Sequence, residues 1–250
     1  MKSRRLTALI SLPFFLAILS GCGSDSEKSP SAPAIKTEAA SSAVPEGCFA
    51  LKANYEKDIA AAMPVGSVED AGRLLKRLGR GEVRPWFSVE AGASRNTTGI
   101  SLLLPREQAE NLLGRIRSKI SPGMVVFLSA SGAGDVNTEA EALPVEDVVE
   151  FIAAPGEDIF DILRLARTSA PNFGMTTEGL IARLRPWNDK WGLSIISAGA
   201  DTLEIELGKT PADLEIFSRE ISAICPDLEA SPEELKREFR QSRRLYFWWD

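Results

Sequence analysis

From residue 47 onward the apolar pattern runs twice through the order strand, helix, strand, strand, helix, strand, and that order restricts the fold more than any other feature. Phe49, Leu51, Ala53 and Tyr55 alternate with Lys52 and Asn54, the period of a half-buried strand. Ser67 reads as an N-cap ahead of Val68, Ala71, Leu75 and Leu78, which share one helical face before Gly79. Strands follow at 85–91 and 98–104. Pro105 opens a helix with the stripe Leu112, Leu113, Ile116 and Ile120, and Met124 to Leu128 is a continuous apolar strand.

Residues 130–146 are polar and read as a connection, after which the order returns. A strand is expected at 147–153 and a helix at 157–168, followed by a helix from Thr176 or Thr177 with the stripe Leu180, Leu184, Trp187 and Trp191. Pro186 should kink or shorten that helix, because it removes a backbone donor. Strands at 193–198 and 202–208 follow, then a helix capped by Thr210 with Pro211 at its first position. Ser231-Pro232-Glu233-Glu234 is a capping box, and Leu245 to Trp249 closes the chain as a strand. The fold class is therefore α+β. It is either two ferredoxin-like βαββαβ units in tandem, over 47–135 and 136–250, or one fused antiparallel sheet with helices on one face.

Residues 1–46 carry a different signal. Lys2, Arg4 and Arg5 precede an apolar run from Leu6 to Leu19, the plan of a secretory leader and too short for an ordinary membrane span. The run ends in Leu19-Ser20-Gly21-Cys22, which resembles a bacterial lipobox. On this reading 1–21 is a signal peptide and Cys22 carries the lipid, while residues to 46, rich in Ser, Ala and Pro, form a tether. Gly23 in place of Asp favours the outer membrane, with the body facing the periplasm. Loss of the leader takes 29 basic residues to 26 against 35 acidic ones, a formal charge of −9. An acidic chain of this kind is not built to bind nucleic acid.

There is no histidine, which excludes Ser-His-Asp and Cys-His catalysis and His-ligated metals. No P-loop, G-x-S-x-G or spaced cysteine cluster is present, so neither a cofactor nor a metal is expected. Cys48 and Cys225 are the cysteines left after lipidation, open either to a disulfide in an oxidising envelope or to burial as thiols. Glu204 and Glu206 share a strand face and, with Asp227, are the candidates for acid–base chemistry. Trp187, Trp248 and Asp250 are candidates for a ligand groove within an aromatic-rich C-terminal half. Arg183, Arg185, Arg243 and Arg244 are cations available to a carboxylate or phosphate.

The strings "LLLPREQAENLLGRIRSKISPGMVVFLS", "ILRLARTSAPNFGMTTEGLIARL", "GADTLEIEL" and "ADLEIFSREISAICPD", with the terminal "RLYFWWD", lie in that order over 98–250. Together they resemble the bacterial family known as domain of unknown function 4253. The resemblance implies an α+β fold and no established activity. It also implies that Cys225 is a family feature and Cys48 a local addition. The function expected is a non-enzymatic binding module held at the membrane by its lipid, engaging an envelope protein or a small ligand. An inhibitor or immunity-type partner of a secreted effector is one form of it. The alternative is a carboxylate-dependent hydrolase of envelope glycans.

Overall fold

The alternation of apolar side chains along two central strands decides the architecture. The computed structural model describes residues 48–90, 93–129, 148–226, 228 and 230–249. Residues from Val44 to Asp250 make one compact unit. Cys22, the leader, the tether, Asp227 and Asp250 lie outside the described residues.

In chain order the elements are β1 (Ala50–Leu51), α1 (Tyr55–Ala60), α2 (Val68–Leu78), β2 (Gly79–Arg80), β3 (Arg84–Glu90), β4 (Ala93–Pro105), α3 (Arg106–Ile116) and β5 (Gly123–Ser129). There follow β6 (Val148–Gly156), α4 (Asp161–Ala166), α5 (Thr177–Trp191), β7 (Leu193–Ala198), β8 (Thr202–Leu207), α6 (Leu214–Ile224), α7 (Pro232–Gln241) and β9 (Arg244–Trp248). The class is α+β. Strands β1 and β2 form a small ribbon, and the other seven form one sheet in the order β3-β4-β6-β5-β7-β8-β9.

Of the two arrangements expected, the fused sheet is the one formed. Strand β6, which begins the second pass of the pattern, pairs with β4 and β5 of the first. The pairing is antiparallel throughout except at β5–β7, where Leu128 lies parallel to Ser197. The sheet is therefore mixed rather than wholly antiparallel.

Each half keeps its helices on one face, but the two halves use opposite faces. Val125 and Phe127 of β5 and Ile152 and Ala154 of β6 join the core built with α4, α5, α6 and α7. Their alternates Met124, Val126, Leu128, Phe151 and Ala153 join the core built with α1, α2 and α3. A strand with apolar residues on both faces must be covered on both, and these two strands are.

Several local expectations hold at the atomic level. Ser67 accepts from the Asp70 N–H at 3.1 Å, and Ser231 and Glu234 close the capping box. Three differ. The first strand shrinks to Ala50–Leu51 because Asn54 starts a short helix that buries Ile59. Helix α5 runs through Pro186 to Trp191 without ending there. Helix α6 is capped by Asp213, whose Oδ1 accepts from Ile216 N–H at 2.9 Å, and not by Thr210. A carboxylate at that point meets the first free N–H groups one turn later than the sequence reading placed them. Gly79 is required where β1 and β2 meet: a Cβ there would lie 2.2 Å from the Ala50 carbonyl oxygen.

Phe127 is fully buried and meets Trp86 edge to face, ring centroids 5.7 Å apart. Phe127→Ala is expected to cost about 3–5 kcal/mol, because the cavity lies in a two-sided strand that cannot collapse. Urea unfolding monitored by circular dichroism measures it; a loss below about 1 kcal/mol would show the site relaxing freely.

Candidate functional site

Among the described residues, β8 and β9 send one face into a hydrophobic core and the other into polar surroundings. Leu203, Ile205 and Leu207 of β8 and Leu245 and Phe247 of β9 point into the core made with α4–α7. Their alternates, Thr202, Glu204, Glu206, Arg244, Tyr246 and Trp248, point to the other face. On that side α3 borders the strands without crossing them. Tyr246 and Trp248 remain 52% and 47% exposed.

Between α3 and these strands lies a mesh of arginine and glutamate. Arg244 Nη1 is 2.8 Å from Glu110 Oε2 and 3.3 Å from Glu204 Oε1, and its Nε is 3.9 Å from Glu206 Oε2. Arg106 reaches both Glu110 (3.7 Å) and Glu204 (3.9 Å). Arg243 lies 4.0 Å from Glu206 and donates through Nε to the Leu207 carbonyl at 2.7 Å. Arg117, just past α3, donates to the Ile195 carbonyl of β7. Ser197 donates to Glu204 Oε2 at 3.4 Å.

Burial raises the Glu204 carboxyl above its ordinary range; Arg244 and Arg106 pull it down and Glu110 pushes it up. Burial lowers Arg117, with Glu206 acting the other way. For Arg244 burial also disfavours the charge, but Glu110, Glu204 and Glu206 outweigh it and raise the group. Tyr246 is raised, first by burial and then by Asp201. The two β8 carboxylates are thus brought together, but as partners of arginine. A general acid for a glycoside needs a carboxyl free to reach the leaving oxygen, and Glu204 and Glu206 are instead aimed at guanidinium groups.

The other sequence candidates divide. Trp248 lies on this open face. Trp187 does not line a groove: it is 2% exposed, its centroid is 4.7 Å from that of Phe217, and its Nε1 donates to Glu220 Oε2 at 2.7 Å. The helical stripe that carried it is a core stripe. Arg183 donates to the Ala223 carbonyl at 3.0 Å, and Arg185 stacks over Phe160 at 4.8 Å. Cys48 and Cys225 are thiols and not halves of a bridge. Cys225 is buried in the core and donates from Sγ to the Trp248 carbonyl at 3.3 Å, while Cys48 sits half-buried beside the ribbon. Burial raises the Cys48 thiol. Among the described residues no cluster of three or more Cys, Asp or Glu side chains is arranged to hold a metal.

Two hollows lie elsewhere. One, of about 690 Å³, opens by the α4–α5 turn beside Arg164, Arg167 and Thr176, where Arg164 is already held by Glu178 at 2.8 Å. The other, of about 240 Å³, lies beside Asn172, Asp201 and Trp249. Neither contains Glu204 or Glu206.

A family model recognises the second part of this fold. Residues 150–250 match the model described as Domain of unknown function (DUF4253). No curated protein and no solved structure matches the chain. The DUF4253 match begins within β6 and runs through β9, so the strings at 102–129 that share the resemblance lie before it. Glu204, Glu206, Arg244, Tyr246 and Trp248 fall inside the DUF4253 region; Arg106, Glu110 and Arg117 come from outside it. Arg106 and Glu110 could have been found as an i, i+4 pair opening a helix. Nothing in sequence order pointed Glu110 at Arg244.

Folded Glu204 binds its proton more tightly than the unfolded chain does. Its burial therefore withdraws stability as pH rises through the carboxylate range. The stability advantage of Glu204→Gln over the parent should grow between about pH 4 and pH 7. Thermal melts across that range check it, and a gap that is flat or shrinks with pH contradicts the burial argument.

Proposed function

We propose that this chain is a lipid-anchored lipoprotein of the bacterial envelope, held through Cys22, and that its body engages a protein or small ligand at the membrane surface.

 The body is an interaction module, and its contact surface is the face of β8 and β9 that carries Tyr246 and Trp248. The observation that carries this reading is the pair Tyr246 and Trp248, half-exposed side by side on one face of β9. Large amphipathic rings beside arginine are the side chains that dominate binding at interfaces. The arginine–glutamate mesh lies on the same face beside them and ties β8 and β9 to α3.

The anchoring part rests on the leader. Lys2, Arg4 and Arg5, the Leu6–Leu19 run and Leu19-Ser20-Gly21-Cys22 are the parts a lipoprotein signal needs, and Gly23 favours the outer membrane. Among the described residues no helix is long and apolar enough to cross a membrane. The alternative, a carboxylate-dependent hydrolase of envelope glycans, draws less support because both β8 carboxylates are engaged by arginine.

Cys22→Ala should move the protein from the membrane to the soluble fraction on cell fractionation. A variant that stays with the membrane removes the lipid anchor from the reading. For the face, the double substitution Tyr246→Ala/Trp248→Ala should weaken capture of envelope partners by about tenfold or more, the scale of losing two aromatic anchors. Quantitative pull-down from the native envelope measures this, and undiminished capture by a folded double variant would place the contact surface elsewhere.

A further inference from the structure

Strand β9 ends the seven-stranded sheet, and its hydrogen-bond parity shows which backbone groups are left over. Leu207 N–H donates to the Arg243 carbonyl at 2.9 Å and Trp249 N–H to the Asp201 carbonyl at 3.0 Å. With the register Leu203 opposite Phe247 and Ile205 opposite Leu245, odd-numbered residues of β9 bond to β8. The N–H and C=O groups of Arg244 and Tyr246 therefore point away from the sheet, and no described residue meets them.

The open stretch is closed at both ends. At one end Ser242 N–H donates to Glu238 O at 2.9 Å as α7 finishes. At the other the Trp248 carbonyl accepts from Cys225 Sγ at 3.3 Å. What remains is a window centred on Arg244 and Tyr246 and bounded by the engaged Ser242 N–H and Trp248 carbonyl, and an unpaired edge is a template for another strand.

We propose that this window pairs with the same window of a second copy of the chain, antiparallel about a two-fold axis through Leu245. The axis places Arg244 opposite the partner's Tyr246 and Tyr246 opposite the partner's Arg244. Each pair is of the doubly hydrogen-bonded kind, so all the outward groups of both residues are used. A guanidinium beside a tyrosine ring is an attractive cross-strand pair. The same axis sets Trp248 against the partner's Ser242, so closed end meets closed end. A longer peptide from another protein would need the groups that α7 and Cys225 already engage, which is why a second copy fits better. An axis perpendicular to the sheet keeps the open faces of both copies on one side and joins them into a single surface. This deepens the interaction reading above by naming a partner at its margin.

The test is sedimentation equilibrium of the full chain in detergent, with Tyr246→Pro and Tyr246→Lys alongside. The parent should show a reversible monomer–dimer equilibrium. Tyr246→Pro should be monomeric at every concentration, since proline removes only an outward N–H and leaves the bonds to β8 intact. Tyr246→Lys, which sets a second cation against the partner's Arg244, should weaken the dimer roughly tenfold or more. If far-ultraviolet circular dichroism shows Tyr246→Pro unfolded, Tyr246→Lys decides alone. A parent chain that is monomeric into the high micromolar range, or a dimer that neither substitution weakens, overturns the proposal. A monomeric parent that still captures an envelope partner through Tyr246 and Trp248 overturns self-pairing and leaves the open-face reading standing.

Discussion

The parallel contact of Leu128 in β5 with Ser197 in β7 is the joint on which the molecule depends. On one side of it the sheet runs β3-β4-β6-β5, and on the other β7-β8-β9. Each block is antiparallel within itself. Joined there, the helices of the two halves fall on opposite faces, with the central strands buried from both sides. Each block uses its helices economically, but neither set is wide enough to cover the whole sheet. Among the described residues, the remainder is the part of the β8–β9 face that carries Tyr246 and Trp248, with Glu204 partly buried at its border with α3.

That remainder explains the chemistry of the mesh. A sheet face without a helix must be polar where it meets water, so charged residues on β8 are no surprise. The border with α3 is different, because there the charges are partly desolvated and each must find an opposite. Arg244 finds Glu110 and Glu204, while Arg106 spans the same two glutamates. Such a mesh adds little net stability, since desolvation offsets attraction. Its effect is positional: it ties α3, from the first half of the chain, to β8 and β9 of the second.

The stretch that matches the DUF4253 model has its own internal logic on the opposite face. Trp249 donates from Nε1 to the Ile224 carbonyl at 3.0 Å, and Cys225 donates to the carbonyl of Trp248. The Cys-Pro turn after α6 and the tryptophans at the end of β9 are thereby bound to one another. Their co-occurrence in the sequence has a structural reason: the terminal strand is secured at the end of α6. Trp187 packs in that core against Trp191, Phe217 and Phe247 and is not available to a ligand.

Much of the fold was legible in order along the chain. Period-two alternation in 202–207, the continuous apolar run 124–128, and the caps Ser67 and Ser231 each specify a local state through interactions a few residues long. Glu204 and Glu206 were legible as neighbours on one strand face for the same reason, and the basic, apolar and small-residue order around Cys22 is likewise local. What only the tertiary structure decided is which elements meet. Helical spacing cannot tell a core stripe from a ligand groove, so Trp187 was placed by its contacts with Phe217. Strand alternation cannot say which strand lies alongside, so the fusion at β5–β7 and the addition of β6 to the first block came from packing. The ion pair between Glu110 and Arg244 joins residues 134 positions apart, and only the folded sheet brings them within reach, because a partner across that distance is chosen by geometry and leaves no period in the sequence.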